Sequence, residues 1–523
     1  MQVLPEICQR FPICRISAAD CRAGRDQTAL IASLWMAFVL LAAIGCQPDT
    51  LPVPDTSAVP RIAYTGSSLR IACDDREFAE AFTPLAMSWG GRVGVSVTVL
   101  PTGTMLDSET GADLLLIRPV EIGNWAAAGR LAGLPPTLRQ ANHPLHWDKL
   151  LEVDRKDLAG WGGQEIGLPV AGDGYVLVYR KDRLEDPAFR AKLQAALPHR
   201  PWPPRSWEGL ADIAEFVLTT TSLPSLPGWP SDRRALLDCF QQIAACYDRT
   251  ADSRGQVEIQ GPARDVSRLA FHFDLETGQP RLTAPSFVAA LDWLVRTQRF
   301  RGQGRPTSQV EALTTGTAVA GILSLAELAQ LPRNPEGAIE TRFGLAPIPG
   351  TESVFDRNGQ KLSIRGSVNY VPFLGSNGWI GVVLRSSHNP QAAWDLLADC
   401  ASLPGSLKLL GDARYGLGPF RVEHLYESRT WLPYHFDADR TRALTDALQR
   451  YRSIEVSDPV LALRIPRQAE FMAALAEELE KAIAGQQSAK EALQQAEAAW
   501  RRLLADVPEA KRLQWLRNAA GLQ

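Results

Sequence analysis

The chain has 523 residues, 45% of them hydrophobic and 22% charged, with a formal net charge of −3. That length exceeds what one core can organise and suits two or three domains of ordinary folded composition. Near-neutral charge without a basic stripe excludes nucleic acid as the expected partner.

Residues 1–45 read as a targeting segment. Arg10, Arg15, Arg22 and Arg25 precede an apolar run at 29–44 that only Ser33 interrupts. As a helix the run would span roughly 24 Å, short of a ~30 Å hydrocarbon core, which favours a secretory signal over a short uncleaved anchor. The next segment, 46–67, is rich in Pro, Thr and Ser without periodicity, and reads as an extended tether. Cys8, Cys14 and Cys21 would leave with the signal, so Cys73, Cys239, Cys246 and Cys400 remain within the fold. Cys239 and Cys246 fall about 10 Å apart along an expected helix, so pairing requires the helix to break, and free thiols are favoured.

The fold opens with an expected strand at 68–72. A helix over 77–89 comes next, with Phe78, Phe82, Leu85, Ala86 and Trp89 on one face and Pro84 as a kink point. Gly90 and Gly91 would stop it before a β-branched strand at 93–100. Strand, helix, strand is a βαβ unit with a parallel pair. A second unit pairs a strand at 112–117 with a helix at 120–132. The stretch 167–183, GLPVAGDGYVLVYRKDR, organises the rest of the chain. Gly172 and Gly174 permit a bend around Asp173. Beyond it, Tyr175, Leu177 and Tyr179 alternate with Val176 and Val178, so both faces of that strand are apolar and it passes from one lobe into the other.

Helices are expected at 206–218, 233–245, 286–297 and 308–313, then a strand at 319–323 and a short helix through Leu328. Residues 343–349 (FGLAPIP) read as a second crossing strand, 356–368 as a surface hairpin, and 390–401 as a helix. In the last part Phe471, Leu475, Leu479 and Ile483 stripe one helix that stops at Gly485. Ser488 and Glu491 have capping-box spacing for another, which carries Leu493, Trp500 and Leu504.

Common catalytic signatures are missing: there is no phosphate-binding G-x-x-x-x-G-K-[ST], no G-x-S-x-G elbow and no H-E-x-x-H. His143 and His146 have Pro144 between them, so neither metal nor cofactor is expected. A glycosidase carboxylate pair needs proximity rather than spacing and stays open as the enzyme alternative. What recurs is a polar or aromatic residue in the loop after a strand: Asp74, Asp75 and Arg76; Arg118 and Glu121; Asp173 and Tyr175; Ser324; Asn377 and Trp379. Ligands of α/β sheets sit at such strand ends, and aromatic faces beside Asp, Asn and Arg suit a polyhydroxylated solute. Each also has a structural reading: Asp74 or Asp75 as a helix cap, Arg118 with Glu121 as a helix-start pair, Trp379 as core.

The order of several segments resembles the bacterial extracellular solute-binding proteins of ABC importers, in the sugar-binding branch typified by maltose-binding protein. They are LAAIGC ending at Cys46, ADLLLIRPVEIGNWAAAGRLAGL, GLPVAGDGYVLVYRKDRL with PPRSWEGLADIA, VAGILSLAEL, FGLAPIPG, NYVPFLGSNGWIGVV with NPQAAWDLLA, and RIPRQAEFMAALAEELEKAIAGQQSAKEAL. The resemblance implies a two-lobe α/β periplasmic-binding-protein fold with three inter-lobe crossings, a lipid on Cys46, and delivery of a polar solute, a sugar in that branch, to separate permease subunits. It departs from the family at 322–325, which lacks an aromatic, in the long 224–261 region, and beyond Ala505. The implied partition is 68–172 with 343–402 as the N-terminal lobe, 173–342 with 403–505 as the C-terminal lobe, and 506–523 as an extension. Hinges would lie at 172–175, 343–347 and 403–410. By position the family's ligand contacts fall on Asp74, Asp75, Arg76, Arg118, Glu121, Asp173, Tyr175, Ser324, Asn377, Trp379, Arg467 and Phe471. The expected protein is a monomer that binds without bond chemistry, on the extracytoplasmic side of a bacterial membrane; a subunit feeding a sensor is the other binding reading.

Overall fold

Leu69, Ile71 and Cys73 point to one side of the first strand, β1 (Ser68–Cys73), and are wholly buried. The computed structural model describes residues 64–101, 111–229, 233–249, 269–302, 308–356, 358–364, 366–452 and 459–522. The signal run, Cys46 and nearly all of the tether lie outside them. Helix α1 (Arg76–Val93) succeeds β1, with Asp75 as N-cap accepting from Phe78 N at 2.9 Å. It runs through Pro84 and past Gly90 to end at Gly94. Gly90 is needed there for another reason: a Cβ at that position would press on Val95 O, where the chain turns into β2 (Ser96–Pro101).

β3 (Leu114–Ile117) leads into only a short helix at Ile122–Ala126, not the run to residue 132 that the sequence predicts. The backbone has a competing partner: Ala132 N donates to Val383 O at 2.9 Å, drawing the chain back to the sheet edge. β4 (Leu168–Ala171) is followed after three residues by β5 (Tyr175–Arg180). Then come α2 (Trp207–Thr221), α3 (Arg234–Asp248), α4 (Pro285–Gln298), β6 (Ala320–Ser324), β7 (Phe343–Ala346) and β8 (Trp379–Val383). Helices α5 (Pro390–Ala401), α6 (Leu403–Leu410), α7 (Ala438–Tyr451), α8 (Gln468–Ile483), α9 (Ala489–Leu503) and α10 (Glu509–Ala519) complete the labelled elements.

Two sheets organise these elements within one compact unit, Ala63–Gln523. The first has the order β2-β1-β3-β8-β4, with β1 parallel to β2 and β3, and β8 antiparallel to β3 and β4. Both of its faces are covered, Leu69, Ile71, Leu114 and Leu116 on one side and Ala72, Leu115, Ile117 and Ile380 on the other. The second sheet has the order β6-β5-β7 and is antiparallel throughout. Tyr175, Leu177 and Tyr179 of β5 enter one core and Val176 and Val178 the other, as the alternation predicts.

The chain leaves the first sheet for the second across residues 172–174. Residues 343–349 are not a crossing, however: β7 stays in the second sheet, its Phe343–Ala346 backbone paired with β5. Return to the first sheet comes at 375–378, just ahead of β8. FGLAPIP and a true crossing look alike in sequence because any buried strand of this length is continuously apolar. Likewise α6 packs with β4 and α1 in the first half, so the passage toward α7 comes after it rather than coinciding with residues 403–410. There Gly172 and Gly418 exchange both backbone hydrogen bonds, each 3.0 Å, which ties two passages together. A Cβ on Gly172 would meet Pro419 O.

The hairpin expected at 356–368 is instead formed by Ser353–Phe355 and Lys361–Ser363, the first strand largely buried and the second exposed. α10, the extension beyond Ala505, returns to the first half, where Asn518 O accepts from Gly162 N at 2.9 Å. Cys239, Cys246 and Cys400 are free and buried, and Cys73 is buried with its thiol donating to Asp75 O at 3.3 Å.

Candidate functional site

A cavity of about 330 Å³ lies between the two halves, at the ends of β1, β3 and β6 and the starts of β5 and β8. That is the size of a small-molecule site, and its walls mix aromatic faces with polar groups. On the first-half side Arg118 is the centre. Its guanidinium donates to Asp75 Oδ2 at 2.9 Å and to Asn377 Oδ1 at 3.2 Å, and lies 4.5 Å from the centroid of the Trp379 ring. Phe78 stacks on Trp379 at 4.4 Å with 2° between the planes. Burial pushes the Arg118 guanidinium down from its ordinary value, with nearby Arg234 adding to the push. Asp75, still the cap of α1, therefore does two jobs: it starts a helix and holds an arginine.

On the second-half side Tyr175 donates to Asp238 Oδ2 at 2.5 Å and accepts from Asn377 Nδ2, so one chain of hydrogen bonds spans the cleft. Burial raises Asp238 to about 6 against the pull of Tyr175 and Arg234. Trp207 and Trp293 meet edge to face at 5.2 Å, and Trp293 Nε1 donates to Trp207 O at 2.7 Å. The Arg301 guanidinium lies 3.6 Å from the Trp229 ring centroid and donates to Pro227 O at 2.8 Å. At the mouth of β6, Ser324 and Glu327 form a capping box, and burial raises the Glu327 carboxyl.

Seven of the residues expected from sequence line this cavity: Asp75, Arg118, Asp173, Tyr175, Ser324, Asn377 and Trp379. The roles differ. Asp173 is wholly committed to the crossing, ion-paired to Arg452 and accepting from Gly375 N at 3.0 Å. Trp379, 5% exposed, has its faces occupied by Phe78 and Arg118, which leaves mainly its edge toward the cavity. The other five fall outside the lining. Asp74 and Glu121 stand together beside Arg118, and Glu121 is pushed up to about 7, by burial first and by Asp74 second. Arg76 is exposed and paired with Glu80. Arg467 caps α8 on the surface and pairs with Glu470, while Phe471 is core between Phe273 and Trp500. An apolar residue on the buried stripe of a helix packs inward, which is why Phe471 left the cleft.

Sequence reasoning missed Trp207, Trp229, Trp293, Asp238, Gln242 and Arg301, all in the wall. These come from helices and turns of the second half rather than strand ends. A signal existed: Asp238 and Gln242 are four apart on α3, so two polar side chains share a face among Leu236, Cys239 and Phe240. Among the described residues no group of three or more His, Cys, Asp or Glu could hold a metal ion, and no helix is long and apolar enough to cross a membrane.

Residues 92–222 match the family profile described as bacterial extracellular solute-binding protein. No curated protein matches the chain. Among solved structures, maltose-bound MalE3 of T. maritima shares 16% identity at a TM-score of 0.58, over 84% of this chain and 100% of that one. The GacH receptor of Streptomyces glaucescens, solved unliganded and with acarbose, shares 15% at 0.56 over 84% and 100%. An ABC transporter solute-binding protein of Agrobacterium radiobacter in complex with ribitol shares 18% at 0.59 over the same fractions. The chain thus has the two-lobe α/β fold of these binding proteins.

Proposed function

We propose that this protein is an extracytoplasmic solute-binding protein that captures a carbohydrate or similar polar solute for an ABC importer. The observation that carries the reading is the cleft itself: about 330 Å³ walled from both halves, with Trp207, Trp229, Trp293 and Trp379 around a hydrogen-bonded set of Asp75, Arg118, Tyr175, Asp238 and Asn377. Tryptophan supplies broad apolar surface for a sugar's C–H groups, and the polar set supplies oriented donors and acceptors for its hydroxyls. The family match at 92–222 and the maltose, acarbose and ribitol bound by proteins of the same fold support the same class of ligand.

In this reading the lobe boundaries follow the sheets, with re-entry into the first lobe at 375–378. Binding stabilises the closed arrangement because only there do Asp75 and Arg118 on one side and Asp238 and Gln242 on the other reach one ligand. No bond is made or broken. In the wall Asp75, Asp173, Asp238 and Glu327 are held by Arg118, Arg452, Tyr175 and Ser324 respectively, and the Asp74–Glu121 pair stands outside it. Cys46 would carry the lipid that tethers the body to the membrane.

The test is thermal unfolding of the purified protein across sugars, polyols and oligosaccharides. A true ligand at a hundred times its Kd adds about 2.7 kcal/mol of stability, an upward shift of several degrees. A flat melting temperature across the whole panel would sink the reading.

A further inference from the structure

Four carboxylates of the cavity wall have hydrogen-bonding partners in place. Asp75 is paired with Arg118, Asp173 with Arg452, Asp238 takes the Tyr175 hydroxyl, and Glu327 takes Ser324 N and Oγ. Arg301 is different. It is 7% exposed and lines the cavity, yet among the described residues no carboxylate pairs with it. Among those residues its guanidinium meets the Trp229 ring and Pro227 O, and its Nε has no partner. A buried cation held only by a ring and a carbonyl lacks its counter-charge.

Other polar groups of the cavity wall have the same deficit among the described residues. Gln242, 4% exposed, leaves both Nε2 and Oε1 unpartnered, and the Nε1 donors of Trp207 and Trp229 have no acceptor. Gln242 belongs to the same stretch of α3 as Cys239, whose thiol feels the Arg301 charge. Among the described residues the cavity wall thus holds four unpartnered N–H donors, from Gln242, Trp207, Trp229 and Arg301, against one unpartnered acceptor, Gln242 Oε1. Buried donors in a folded protein are ordinarily satisfied, so the missing partner is rich in acceptor oxygens and carries negative charge.

We propose that the solute taken by this cleft is an acidic carbohydrate, a uronic acid or an oligosaccharide containing one, whose carboxylate docks on Arg301 and Gln242. The inference rests on the solute-binding reading and narrows it. A carboxylate matches both the planar fork and the charge of the Arg301 guanidinium. A phosphomonoester, at close to two negative charges, would leave excess charge buried beside one arginine.

The test is calorimetric titration and thermal unfolding of the purified protein at pH 7. The probes are di- and trigalacturonate, glucuronate, maltose, maltotriose, ribitol and glucose 6-phosphate. Uronate probes are expected to bind at least tenfold more tightly than neutral sugars of the same length. Gln242→Leu, which gives up no hydrogen bond among the described residues, is expected to fold normally and to lose most of that preference. Arg301→Met is expected to abolish it; because Arg301 also holds Pro227 and Trp229, its folding is checked by circular dichroism, and Gln242→Leu carries the test if it fails to fold. Neutral trisaccharide binding as tightly as the uronate overturns the inference while leaving solute binding intact. So does tighter binding of glucose 6-phosphate, or a uronate preference that survives in Gln242→Leu and in any Arg301→Met that folds. Silence from every probe would overturn both this inference and the sugar-binding reading beneath it.

Discussion

Burial of Glu121 against Asp74 makes one corner of the first half sensitive to pH. The Glu121 carboxyl is raised to about 7, above its unfolded value near 4.3, so in that window the folded state holds a proton the unfolded chain releases. Stability from this site is thus greatest below the unfolded pKa and is lost as pH rises through 7, by on the order of 3–4 kcal/mol. Glu121→Gln keeps an acceptor for Arg118 N and removes the titration. The variant is expected to melt above wild type at pH 8 and to match it near pH 4.5; equal melting temperatures at both would refute the assignment. Phe471 gives a second contrast at this scale. Packed between Phe273 and Trp500 and 1% exposed, it is expected to cost about 3–5 kcal/mol when changed to Ala, read in urea, with ligand affinity of the folded fraction unchanged.

At the scale of elements, local sequence rules acted where the backbone had no rival partner. α9 begins where Ser488 and Glu491 predict, with Ser488 Oγ accepting from Glu491 N and the Glu491 carboxylate accepting from Ser488 N. Ser488→Ala is expected to cost about 1 kcal/mol in denaturant midpoint, without effect on ligand binding. α1 ignored the proline inside it because Phe78, Phe82, Leu85 and Trp89 all gain burial if the helix continues. The helix expected at 120–132 stopped early for the opposite reason, its backbone being claimed by β8.

For the whole molecule the decisive feature is the joint between halves. Arg452 is fully buried and ion-paired to both Asp154 and Asp173, and Asp173 also takes Gly375 N, so one arginine links two passages. Arg452→Met leaves two buried carboxylates without a cation and is expected to destabilise by about 3–5 kcal/mol; adding Asp154→Asn and Asp173→Asn is expected to recover much of the loss in thermal unfolding. If the triple variant is no more stable than Arg452→Met, the ion triad is not what holds the joint.

Residue order alone was enough to set most of the elements and the course of the chain: the βαβ opening, the glycine-flanked passage at 172–174, the two-sided strand after it and the two C-terminal helices. Those signals are local, since periodicity, caps and glycines act through neighbours in the chain. Residue order also placed Asp75, Arg118, Tyr175 and Asn377 at strand ends facing a cleft. Packing in three dimensions was needed to keep β7 in the second sheet, to commit Asp173 to the joint and to bury Phe471 in the core. The same holds for the far wall, where Gln242 on α3 and Arg301 beyond α4, 59 positions apart in sequence, line one cavity. Which buried polar groups lack a partner depends on neighbours brought in from distant parts of the chain, and no spacing in a single sequence encodes that.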